Sequence, residues 1–309
     1  MKKTGIIRHF CHYIEYTGLR FISLLLMLIP ESCIYVLARF FGLVVFHCLR
    51  IRRDVAMENL RYALGDVMDE SGLKIIAREA YYNIGVTFLE MLLVPKFKHR
   101  ILTMVEMSEI DILKRNLEQR RGLILVSCHF GSWELNGAAL GLSGIPVTVV
   151  VKSQSNPYVD EFINRYRKDF GMKIVPTGAA IKHLIKTLSE HGTIGLISDQ
   201  DAGKNGVFVT FFGRMASTPA GAAQLALKYD VPVIVTMTQR IAAGKYKSIF
   251  REVDVLADDT VESLTQRYTT VMEKIIRQCP EQYFWMHRRW KTRPSENTLR
   301  SAECLSCTS

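Results

Sequence analysis

The stretch LILVSCHFGSWE, residues 123–134, reads as a short buried strand, a turn and the start of a helix. Residues 123–127 are apolar and partly β-branched, and Gly131 marks the change of texture into a helical pattern over 132–142. Outward from this point, short apolar runs keep alternating with helical stretches. Strands are expected at 147–151, 173–175, 194–198, 207–211, 233–237 and 248–253, with helices at 157–170 and 179–191 between the early ones. Strand and helix taking turns predicts an α/β fold, a largely parallel central sheet flanked by helices, with ligands beyond the carboxyl ends of the strands.

Upstream the pattern is helical throughout. DVAMENLRYAL from Asp54 and the long run from Glu70, with Leu73, Ile76, Ala77, Ala80 and Tyr81 at helix spacing, predict two helices, the second ending at Val94-Pro95. Residues 21–49 hold a nine-residue apolar run, a break at Pro30-Glu31-Ser32, and a second apolar run interrupted only by Arg39 and His47. A single membrane span needs roughly 20 apolar residues, so each piece alone falls short and the two together suit a kinked or re-entrant helical segment in or on a bilayer. Basic residues flank both sides, which fits a segment that enters and leaves on one face. The expected organisation is a membrane-associated segment over residues 1–53, a catalytic domain over 54–294 and a polar tail over 295–309.

The 309 residues are 48% hydrophobic and carry a net charge of +10, which excludes disordered, collagen-like and small disulfide-held classes. That charge is concentrated at the ends. Residues 1–53 hold eight Lys or Arg against two Glu, and residues 287–309 hold five against two. A nearly neutral middle with basic ends points to an anionic partner, membrane or nucleic acid, and the hydrophobic N-terminal segment argues for the membrane. The seven cysteines show no repeated short spacing, and Cys304 and Cys307 form one isolated CxxC, so reduced thiols are expected and no metal.

Chemistry-bearing residues gather at the expected strand ends. His129 follows the 123–127 strand, and Glu134 opens the next helix; an imidazole held by a carboxylate is the usual form of a general base. Cys128 offers a rival thiolate mechanism, weakened because neighbours at a strand end point to opposite faces. Asp199-Gln200-Asp201 follows the 194–198 strand and so lies on the same rim, suited to a binding or site-ordering role in preference to Mg²⁺. Arg165 and Arg167 fall late in the helix after Asn156-Pro157. Near the C-terminus, PEQYFWMHRRWKTRP (280–294) interleaves aromatics with Arg288, Arg289 and other basic residues in a way that suits phosphate contact.

These motifs resemble the bacterial lipid A biosynthesis acyltransferases, the lauroyl and myristoyl transferases of late endotoxin assembly. SCHFGSWE, the Asp-Gln-Asp followed by VFVTFFG and Thr218-Pro219, and above all PEQYFWMHRRWKTRP carry the resemblance, which covers the chain from its hydrophobic N-terminal segment to Pro294. It implies transfer of a fatty acyl group from acyl carrier protein, or from coenzyme A, to a hydroxyl of a lipid A precursor at the cytoplasmic face of the bacterial inner membrane. It further implies a His129–Glu134 dyad, substrate binding by Arg167 and Asp199, and contact of Arg288 and Arg289 with phosphate on the acceptor or with the acidic carrier. Arg167 is preferred to Arg165 on spacing to Gly171. The acyl thioester is a co-substrate, and neither a cofactor nor nucleic acid is expected. The alternatives are an acyltransferase for another glycolipid or phospholipid, a membrane-bound thioesterase, and a tethered lipid-binding protein without catalysis.

Overall fold

The computed structural model describes residues 2–294; the Cys304-Cys307 pair and the expected polar tail lie outside the described residues. Two helices, α1 (Lys2–Leu28) and α2 (Glu31–Val44), meet at Pro30, and α2 runs on as a π-helical turn to Leu49. Next come α3 (Arg53–Leu64) and the long α4 (Glu70–Phe97), whose first turn is capped by the Asp69 carboxylate accepting from the Gly72 N–H. The sequence pattern places a stop at Val94-Pro95, yet α4 continues through Pro95 to Phe97. Proline in a last turn forfeits one helical hydrogen bond. Here burial of Val94 and Phe97 against Leu26, Ile34 and Ile101 holds the turn, and Lys96 Nζ donates to the carbonyls of Met27 and Ile29.

After the short α5 (Ile101–Met104), β1 (Val105–Glu106) and α6 (Asp111–Glu118) comes the α/β core. It comprises β2 (Leu123–Ser127), α7 (Trp133–Leu142), β3 (Val147–Val151), α8 (Pro157–Asp169), β4 (Lys173–Pro176), α9 (Ala180–Ser189) and β5 (Thr193–Ile197). The chain closes with β6 (Val207–Phe211), β7 (Arg214–Thr218), α10 (Gly221–Tyr229), β8 (Val233–Ala242), β9 (Lys245–Val253) and α11 (Val261–Gln278). Seven strands form one sheet in the order β1-β9-β8-β2-β5-β3-β4, parallel at every pairing but β8 with β9. Strand side chains alternate between faces: Ile124 and Val126 join α3, α4, α10 and α11 in one apolar cluster, while Leu123 and Leu125 join Leu140, Val147 and Phe250 in another.

The stretch 207–211 is a strand as the pattern suggests, but β6 pairs only with β7 in a separate antiparallel ribbon. The turn is Phe212-Gly213 with φ of 52° and 73°, the left-handed pair that a two-residue hairpin requires. A phenylalanine in that position gives little turn signal, which is why β7 escapes a reading by composition.

The N-terminal helices are packed into the molecule. Ser23 Oγ donates to the Leu92 carbonyl, Arg39 makes a two-pronged ion pair with Glu79, and Arg100 pairs with Glu31, so α1 and α2 are fastened to α4 and the residues after it. Asn156, the N-cap of α8, donates to the His12 carbonyl and to Glu15 of α1. Their outer faces remain apolar: Phe10, Ile14, Phe21, Leu25, Val36 and Phe40 are each more than half exposed or close to it, from 47% for Leu25 to 69% for Val36. Within the 19 residues Glu31–Leu49 an 18-residue window has a mean hydropathy of 1.9 with 22% of it buried, the length and composition of a helix able to cross a membrane.

Candidate active site

Register builds the site. β2 and β5 pair in parallel with Ser127 opposite Ile197, and Ser198 N–H continues the ladder by donating to the Ser127 carbonyl. Two residues past each strand, His129 and Asp199 therefore emerge side by side. Asp199 accepts twice from His129: Oδ1 lies 2.9 Å from the ring Nδ1, and Oδ2 accepts from the backbone N–H at 3.1 Å. A proton held on Nδ1 by this bond leaves the Nε2 lone pair for the cleft that the ring lines. Burial by itself would depress the imidazolium, but the Asp199 charge and hydrogen bond outweigh it and raise the His129 pKa above its ordinary value. For Asp199, burial at 4% exposure pushes upward, and the His129 charge and hydrogen bonds bring the carboxyl below its ordinary value.

The carboxylate on the imidazole is thus Asp199, where the spacing of the sequence points to Glu134. Glu134 is the second residue of α7 and binds Arg167 of α8 through both oxygens, Oε1 to Nη2 at 2.5 Å and Oε2 to Nε at 3.0 Å. Arg167 also donates to Asn164. The ion pair stands in the same cleft as His129, walled by Trp133, Phe284, Met91 and Ile163. His129, Glu134, Arg167 and Asp199 are therefore brought together at the carboxyl ends of the strands, as two pairs.

Gly131 makes the loop between β2 and α7 possible. Its φ is +54°, and a Cβ there would fall 1.8 Å from the Thr238 carbonyl oxygen. Ser132 N–H donates to that same oxygen, Gly131 N–H to the Gln282 carbonyl, and Phe284 N–H to the His129 carbonyl, so β8 and the C-terminal stretch clamp the loop on two sides. On a third side stands α4. Thr87 Oγ1 donates to the Gly131 carbonyl, and Glu90 accepts from Ser132 Oγ, Arg240 and the Tyr246 hydroxyl. Glu90 and Arg240 are 1% and 7% exposed and were not singled out from sequence; a lone carboxylate in the apolar run TFLEMLL (87–93) is the signal that could have found them. Because the Ser132 hydroxyl goes to Glu90, no side chain caps the first turn of α7, and the cleft-lining Trp133 and Glu134 carry its leading N–H groups.

Cys128 points the other way. It is 1% exposed in the apolar core, where burial pushes its thiol well above the ordinary value, so it is neither in the cleft nor a ready thiolate. Arg289 is also not at the surface where phosphate contact would need it. It is 2% exposed, with Nη1 donating to the Ser217 carbonyl and Nη2 to Thr218 Oγ1, both at 2.5 Å, and burial lowers its pKa. The chain turns at this point, Arg289 N–H donating to the His287 carbonyl, and Arg288 is the exposed one. Asp201 fastens the C-terminal stretch, accepting from the N–H and hydroxyl of Thr292, while its own N–H donates to His287 Nε2.

An apolar cavity opens from the cleft. Between α7, α8 and the strands β2, β3 and β5 it spans about 650 Å³ including the part open to solvent, lined by Leu140, Val147, Val149, Leu196 and Met172, with Trp133, Glu134 and Arg167 shared with the His129 cleft. A titratable pair beside an apolar cavity suits a substrate with a reactive polar head and a hydrocarbon tail.

The chain is similar over most of its length to known acyltransferases. The chain is 25% identical over 298 residues to the lipid A biosynthesis lauroyltransferase of Escherichia coli K12, covering 95% of this chain and 96% of that one. It is 29% identical over 255 residues to a lipid A biosynthesis acyltransferase of Haemophilus influenzae Rd, covering 80% of each. A phosphatidylinositol mannoside acyltransferase of Mycolicibacterium smegmatis is 25% identical over 246 residues, 77% of this chain and 81% of that one. The model of the bacterial lipid A biosynthesis acyltransferases matches residues 1–292, and the chain belongs to that family of acyltransferases.

Proposed function

We propose that this protein transfers a fatty acyl group from a thioester, carried by acyl carrier protein or coenzyme A, to a hydroxyl of a lipid A precursor at the cytoplasmic face of a bacterial inner membrane. The observation that carries the reading is the His129–Asp199 pair beside a cleft from which an apolar cavity opens. The acyl chain lies in the cavity and its thioester carbonyl at the mouth. Nε2 of His129 takes the proton of the acceptor hydroxyl as the oxygen forms its bond to the carbonyl carbon, and Asp199 stabilises the resulting imidazolium. The tetrahedral intermediate collapses by breaking the carbon–sulfur bond, and the imidazolium returns the proton to the departing thiolate. The N–H groups at the start of α7, which no side chain caps, hold the developing oxyanion. A thioester is already activated, so the reaction requires neither a metal nor an acyl-enzyme.

Arg167, held by Glu134, is the cationic group in the cleft that meets a phosphate or the polar head of a substrate. The exposed apolar faces of α1 and α2 rest in the membrane, with basic residues at headgroup level, and so bring the cleft to a lipid acceptor.

The test is His129→Ala in purified protein, with thermal unfolding as the check on folding and mass spectrometry of the acceptor as the assay. General-base loss of about 10² to 10⁴ in rate is expected; full activity in the folded variant overturns the mechanism. Consumption of the thioester without dependence on the lipid acceptor would establish a thioesterase instead.

A further inference from the structure

The Glu134–Arg167 pair borders a second apolar space besides the one described. That space lies between α4, α7 and α8, lined by Met91, Val94, Ala138, Tyr166 and Phe170, together with Glu134, Arg167 and Met172. Glu134, Arg167 and Met172 are common to both cavities. The first two stand at the cleft, leaving the side chain of Met172, itself 7% exposed, as the apolar part of the wall between the cavities. Its place depends on Gly137 of α7: a Cβ there would fall 2.6 Å from Met172 Sδ and 3.5 Å from its terminal methyl. The thioether thus lies against the bare backbone of α7, in space that any larger residue would take. Its backbone is held independently, Met172 N–H donating to the Arg167 carbonyl at 3.0 Å.

We propose that Met172, seated against Gly137, is the partition that limits the length of acyl chain the enzyme accepts. The inference rests on the acyl-transfer reading of the same site. A flexible, unbranched side chain is the wall most easily moved, and its volume decides whether the last methylenes of the chain find room. One methylene more or fewer in a hydrophobic pocket changes discrimination by about 10- to 200-fold. Met172→Ala joins the two cavities and shifts preference to longer chains. Met172→Phe fills the space and shifts it to shorter ones. Gly137→Ala reaches the same end by another route: Gly137 itself lines the first cavity, so a methyl there takes space from it and displaces Met172 Sδ, and preference shortens.

The experiment is competition among decanoyl, lauroyl, myristoyl and palmitoyl thioesters, on the carrier that wild type uses, with a purified lipid A precursor as acceptor and product masses as the readout. The expected result is a change of at least about tenfold in the ratio of long to short products, upward for Met172→Ala and downward for Met172→Phe and Gly137→Ala. A purely structural role lowers all products alike. Unchanged ratios in variants that still transfer overturn this inference alone, whereas no transfer by wild type from any donor overturns the acyl-transfer reading and this inference with it.

Discussion

Nδ1 of His129 and Oδ1 of Asp199 lie 2.9 Å apart because β2 and β5 run parallel in a register that ends both strands at the same level. The pair raises the imidazole pKa and lowers that of the carboxyl. A general base must be neutral to accept a proton, so kcat/KM rises with pH through a value above the ordinary imidazole range. Asp199→Asn removes the charge that raises it, and the limb moves to lower pH while the rate falls about 10²-fold or more. A pH–rate profile of both proteins checks this; an unmoved limb would assign it to another group.

Glu134 and Arg167 form one ion pair. Glu134→Gln and Arg167→Gln should each lower kcat/KM, and the double variant should lose little more than the worse single one, a coupling of about 1 kcal/mol or more. Strict additivity in the cycle counts against a joint role. The Glu134 charge adds only after that of Asp199 to the His129 pKa, so Glu134→Gln should move the pH limb less than Asp199→Asn; a larger move would make Glu134 the partner of the imidazole.

Gly131→Ala introduces a methyl where the Thr238 carbonyl stands and asks a residue with a Cβ to hold φ near +54°. The loop carrying His129 has to move. We expect a stability loss of roughly 2 kcal/mol or more with activity close to that of His129→Ala, measured by denaturant unfolding and acyl transfer side by side.

Arg288 and Arg289 should give opposite readouts. Arg289→Ala leaves a cavity and strips the Ser217 carbonyl and Thr218 hydroxyl of their donor, costing about 3 kcal/mol. Arg288→Ala stays within about 0.5 kcal/mol of wild type in stability and instead weakens use of the acceptor or carrier, most at low salt. A large fall in melting temperature for Arg288→Ala would sink this division.

Cys128→Ala is expected to keep acyl transfer, because the thiol faces the core and burial disfavours its thiolate. Intact-mass measurement during turnover should find no acyl-cysteine.

Periodicity and composition determine much of this protein by local means. The strand 123–127 and the helix after it, the rhythm of short apolar runs and helices, the break at Pro30 and the placing of His129 and Asp199 after strands are all legible in order along the chain, since each depends on neighbours a few residues away, whereas Arg167, late in a helix, is singled out only by the family resemblance. What pairs with what is decided across the fold. Asp199 meets His129 seventy residues distant because two parallel strands share a register, and Glu134 is drawn to Arg167 by the packing of α8 against α7. Tertiary contact also carries α4 past Pro95, turns Arg289 inward while its neighbour faces water, and sets buried Glu90 under the loop that bears the imidazole. Charge and hydrogen-bond partners depend on distance in space, and a linear pattern records only which groups are available to meet.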